Sequence, residues 1–163
     1  MAFNVTKNAK ELLERYRAYA PILRSKADEG YDWLDEDSFC IELPNPHGDH
    51  GLVIEYNGAG ETVLCFSHFH AHYGINEPED HDRMYEQLES ILNNDLCCAA
   101  LFCGDEQKWL CSTMIGKEKT LLPVKEIFHI VYEDAKYETM LHQKGGEARF
   151  IFWDGQFNKT LKV

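Results

Sequence analysis

Thr62-Val63-Leu64-Cys65-Phe66-Ser67-His68-Phe69-His70-Ala71-His72-Tyr73 is the stretch on which the reading of this chain turns. Apolar at its start and histidine-rich at its end, it reads as one long strand. Successive side chains of a strand point to opposite faces. Val63, Cys65, Ser67, Phe69, Ala71 and Tyr73 then share one face, the expected floor for a packed helix. Leu64, Phe66, His68, His70 and His72 share the other. The three histidines would stand in a column, each roughly 7 Å from the next.

Shorter strands are expected upstream, at 39–43 and 52–56. They are separated by the Pro/Gly-rich loop 44–51 and followed by a turn at 57–60. Together they make an antiparallel meander. An amphipathic helix precedes it. Ala9, Leu12, Leu13, Tyr16, Tyr19, Ala20 and Leu23 recur at three- and four-residue steps, Asn8 and Glu11 form a capping box, and Pro21 kinks or splits the helix.

A second helix is predicted over 78–93, capped by Asn76 and burying Met84, Tyr85, Leu88, Ile91 and Leu92. Residues 96–103 read as a central strand covered on both faces. A strand at 107–115 follows, then a turn at 116–119. Alternation of Ile127, His129 and Val131 favours a strand over 124–132. A short helix is expected at 135–144. Asp154-Gly155 marks a hairpin between 147–153 and 156–163. The expectation is a single α+β domain spanning 1–163, with an antiparallel-dominated sheet and helices mainly on one face.

The composition is that of a globular protein, 44% hydrophobic and 27% charged. No apolar run reaches the roughly 20 residues of a membrane helix. The polar first ten residues lack a signal-peptide layout, so a cytoplasmic location is expected. The six cysteines sit mostly in apolar stretches without a Cys-x-x-Cys pair, which reads as reduced and structural.

Net charge is -12, from 16 basic and 28 acidic residues. One acidic cluster holds Asp28, Glu29, Asp32, Asp35, Glu36 and Asp37. A second runs from Glu77 to Glu89. Such a surface repels phosphate backbones, which speaks against nucleic acid and anionic membranes as partners. It attracts a basic protein. Trp33, set between Asp32 and Asp35, supplies an aromatic anchor.

Two histidines two apart on a strand can each give a nitrogen to one Zn²⁺, at about 2.0–2.1 Å. Three in a row are too spread for a single ion. A site would use two of His68, His70 and His72 with a third ligand from His81, Glu77, Asp80, His47, Asp49 or His50. The other reading is an exposed histidine ladder that hydrogen-bonds neighbouring strands. No phosphate-binding glycine loop and no nucleophile elbow is present. Cys65 shares a strand with His68 but faces away from it, and no catalytic pair can be chosen among 28 acids.

Two family resemblances bear on function. The histidine run loosely resembles the His-x-His-x-Asp-His motif of metallo-β-lactamase-like hydrolases. His72 and Tyr73 stand where Asp-His should follow, so no catalytic residue carries over. The whole layout resembles the small acidic immunity proteins of bacterial polymorphic-toxin systems. The likeness rests on an N-terminal helix, a meander ending at 66–73, the 78–93 helix and a terminal hairpin around Phe152-Trp153-Asp154-Gly155. It implies a non-enzymatic cytoplasmic domain, without cofactor, that binds a basic protein; the clustered acid around an aromatic points to Asp32, Trp33, Asp35, Glu36 and Asp37 as the binding surface. The alternative is a small zinc-binding protein or metal-dependent hydrolase built on His68, His70 and His72, with His81.

Overall fold

The computed structural model describes residues 6–23, 30–131 and 135–162. Its class is α+β with antiparallel pairing throughout the strand pairs whose register is defined. Among the described residues the strands form two sheets, one of five strands and one of four. The chain divides into two compact units. The first holds Met1–Asn45, Gly51–Phe66 and His70–Leu88. The second holds Pro46–His50, Ser67–Phe69 and Glu89–Val163.

In the first unit, α1 (Lys7–Arg15) opens at Thr6, whose hydroxyl accepts a hydrogen bond from the Ala9 N–H at 3.3 Å. Asn8 is not the cap. Its side-chain amide donates instead to the Ile75 carbonyl at 2.7 Å. Ala9, Leu12 and Tyr16 are buried at the expected helical spacing. The helix ends earlier than the apolar stripe predicts. A 3-10 turn at Arg17–Tyr19 leads to Ala20 in the left-handed region, φ 48°. Pro21 disfavours a helical conformation at the residue before it, and this change of direction frees Ile22–Leu23 to form β1.

Strands β2 (Phe39–Leu43), β3 (Leu52–Tyr56) and β4 (Glu61–Phe66) stand in the order β1-β2-β3-β4-β5. Their register lines up apolar rows: Phe39 with Tyr56, Ile41 with Ile54, Leu43 with Leu52, then Leu52 with Phe66 and Ile54 with Leu64. All of these side chains are buried, and the Phe39 and Tyr56 rings stack at 5.0 Å. Such cross-strand pairs stabilise one register, because a slip of one residue would turn the whole row to the other face. The buried face of β4 is therefore Thr62, Leu64 and Phe66, whereas Val63 and Cys65, expected as the floor for a helix, are only half-buried.

The long strand expected at 62–73 is a hairpin. β4 stops at Phe66, Ser67 and His68 make the turn, and β5 (Phe69–Gly74) returns. Two-residue hairpins need at least one residue with positive φ, and Ser67 supplies it at 54°. Helix α2 (Pro78–Leu92) forms close to the expected range and buries Met84, Tyr85, Leu88 and Ile91, while Leu92 is only half-buried. The His81 N–H donates to the Glu77 carbonyl, so Glu77 rather than Asn76 stands at the cap position. The Arg15 guanidinium lies 4.3 Å from the Tyr85 ring centre, a cation–π contact between α1 and α2.

The second unit is built on the sheet β7-β6-β8-β9. β6 (Leu96–Cys103) is central and buried at every position from Cys97 onward. It pairs with β7 (Lys108–Gly116) and with β8 (Gly146–Ile151), which pairs with β9 (Lys159–Lys162). Residues expected as a strand at 124–132 instead form α3 (Val124–Val131). Ile127, Phe128 and Val131 are buried while His129 and Ile130 are exposed, a helical rather than alternating pattern. The Glu126 and Ile127 N–H groups donate to the Pro123 carbonyl and start the helix. Helix α4 (Ala135–Lys144) forms as expected. The terminal hairpin is present, but its connection is longer than an Asp-Gly turn. Asp154 caps a 3-10 turn at Gly155–Phe157.

Candidate functional site

The histidine run does not make one column. Because the chain turns at Ser67 and His68, His68 leaves the row that His70 and His72 occupy on β5. His68 belongs to the second unit, His70 and His72 to the first.

His70 and His72 do come together, with ring centres 5.5 Å apart. Glu61 Oε1 lies 3.0 Å from His72 Nδ1, and both side chains are about half exposed. His81 stands on α2 with its ring edge-on to Tyr85 at 4.9 Å and its Nε2 buried without a hydrogen-bond partner among the described residues. Asp80 accepts from the Gly74 N–H at 3.2 Å and pairs with Arg83. Among the described residues no group of three or more His, Cys, Asp or Glu side chains is arranged to hold a metal ion.

His68 has different neighbours. Its ring is stacked with Trp109 at 6.3 Å, edge-on to Phe102 at 5.3 Å, and 6.3 Å from His50. The Ser112 hydroxyl donates to the His68 carbonyl and ties the turn to β7. Between the pairs Leu101–Cys111 and Phe102–Trp109, β7 carries one extra residue, Leu110. A bulge of this kind re-aims the side chains beyond it. The Arg149 guanidinium caps the Phe102 ring at 4.0 Å and is itself held by Glu147 at 2.6 Å and by Gln107. Partial burial, then the charges of His50 and Arg149, push the His68 pKa below its ordinary value. Sequence reasoning did not find this cluster, because its members are far apart along the chain.

From Gly30 to Ser38 the acidic connector is a loop tied down at several points. Leu34 is only 2% exposed, and its N–H donates to the Tyr31 carbonyl. The Tyr31 hydroxyl donates to Glu42 at 2.6 Å, which with some desolvation raises its pKa to about 12. The Ser38 N–H donates to the Asp35 carbonyl. Trp33 is 51% exposed, and its indole N–H donates to the Gly30 carbonyl at 3.1 Å. Asp32, Asp35 and Glu36 are exposed around it, while Asp37 is half-buried against Gly58. Asp28 and Glu29 lie outside the described residues.

Five of the six thiols are poorly suited to act as nucleophiles. Burial raises the pKa of Cys40 and Cys97 to about 12 and that of Cys98 to about 11, and it also raises Cys65 and Cys111. A reactive cysteine needs the opposite shift. Among the described residues no helix is long and apolar enough to cross a membrane. Comparison with family models, with curated proteins and with solved structures gave no match.

Proposed function

We propose that this chain is a non-enzymatic, cytoplasmic protein-binding domain of the immunity type, and that its acidic loop recognises a basic protein. The observation that carries this reading is Trp33, half-exposed among exposed Asp32, Asp35 and Glu36 on a loop anchored by Leu34 and Tyr31. Tryptophan is enriched among residues that dominate binding energy. A loop already held in place loses less entropy on binding. The surrounding carboxylates, on a chain of net charge -12, steer a cationic partner.

A panel of purified basic nuclease toxin domains, titrated against the protein, tests the reading. Binding by a member of the panel should weaken markedly between about 50 and 300 mM salt. Trp33→Ala should cost at least ~2 kcal/mol, about 30-fold in Kd. Binding that ignores both ionic strength and Trp33, or no binding across the panel, refutes it.

A further inference from the structure

The second unit contains a cavity of about 590 Å³ between the 3-10 turn Lys117–Leu121 and the β8–β9 connection. That volume lies within the range of small-molecule sites, about 300–1,000 Å³. Its apolar wall is Phe152 and Phe157, whose rings meet at 6.0 Å and 64°. Leu121, 77% exposed, stands at the rim.

Two cations face the same space. Lys117 Nζ sits 4.0 Å from the Phe157 ring centre. Lys159 Nζ donates to the Thr120 hydroxyl at 3.3 Å, and that hydroxyl donates to the Lys117 carbonyl at 2.8 Å. Among the described residues neither ammonium pairs with a carboxylate. The nearby Glu118 carboxylate folds back over Gly116, where its oxygens occupy the space a Cβ would take. Asn158 accepts from the Phe152 N–H at 2.8 Å through its side-chain oxygen, which leaves its NH₂ as a donor. The cavity is therefore a cationic spot on a chain with 28 acidic and 16 basic residues.

We infer that this cavity is a binding site for a small aromatic carboxylate, its ring system against Phe152 and Phe157 and its anionic end at Lys117 and Lys159. An aromatic body suits the wall, because rings pack edge-to-face and offset against phenylalanine. A single negative charge suits two ammonium groups with one carboxylate nearby. Hydrogen bonds to charged groups are the stronger ones, so the anion fixes the orientation. The site is independent of the acidic loop and of the partner proposed for it.

The test is an NMR titration of the isotope-labelled full chain with naphthoate and with its uncharged amide, naphthamide. Naphthoate should give saturable shifts concentrated at 117–121 and 152–159. Naphthamide should bind at least about tenfold more weakly. Lys159→Met should cost naphthoate about tenfold, with Lys159→Arg keeping most of the affinity. Equal affinity for acid and amide would overturn the proposal, as would shifts elsewhere that Lys159→Met leaves untouched. The acid-to-amide ratio on wild-type protein decides the matter even if a variant fails to fold.

Discussion

The His68 imidazole lies over the Trp109 indole with the ring planes 21° apart and the centres 6.3 Å apart. Two local irregularities produce this contact: the tight turn at Ser67 and His68, and the extra residue Leu110 in β7.

That environment sets a pH dependence. A histidine whose folded pKa is lowered binds its proton less readily in the folded chain than in the unfolded one. Its contribution is whole above the unfolded value, about 6.5, and is lost as pH falls below it toward the lowered folded value. This histidine should by itself make the stability of the wild type fall between about pH 7 and 5. In His68→Asn that fall should be shallower. Superimposable profiles would mean that the contact does not perturb the imidazole.

Leu34 and Trp33 should separate stability from recognition. Leu34 is buried, so Leu34→Ala should destabilise by about 2–5 kcal/mol in denaturant titration. Trp33 is half-exposed, and Trp33→Ala should stay within about 0.5 kcal/mol of wild type. A large loss of stability in Trp33→Ala would make the indole a packing residue and undercut its role as an anchor.

The buried thiols predict slow chemistry. Cys40, Cys97 and Cys98, at about 12, 12 and 11, carry almost no thiolate at the pH of a normal alkylation experiment. Iodoacetamide should modify them only as fast as the chain opens, with mass spectrometry following each site. Rapid labelling of Cys98 in folded protein would contradict its burial in β6.

Ser67 tests the turn. Its φ of 54° is free of steric cost for glycine and an outlier for a β-branched residue. Ser67→Gly should therefore be tolerated, while Ser67→Val should be at least ~1 kcal/mol less stable than Ser67→Gly. If the two variants unfold at the same denaturant concentration, the hairpin does not depend on that backbone conformation.

Part of the candidate surface was legible in advance. Asp32, Trp33, Asp35 and Glu36 could be picked out because polar and aromatic residues crowd a short connector. Their exposure, and the half-burial of Asp37 against Gly58, could not, because both depend on what packs over the loop. The wall and cations of the cavity come from Lys117, Phe152, Phe157 and Lys159, which only the folding of β8 and β9 onto the sheet brings together.

The sequence by itself determined β2 and β3, short runs bounded by turn residues, β6, an apolar run of strand length, and the helix α2 with its apolar stripe. There the local pattern and the buried face agree. Tertiary structure decided the rest. Ser-His lacks the Asn-Gly or Asp-Gly signal of a tight hairpin, so the break of 62–73 into a hairpin follows from pairing and burial, which place Leu64 and Phe66 inward and return the chain beside β4. Residues 124–131 alternate well enough for a strand, yet the second unit's core takes Ile127, Phe128 and Val131 from one side of a helix. A short apolar run fits either period, and the surface available to cover it selects which one forms.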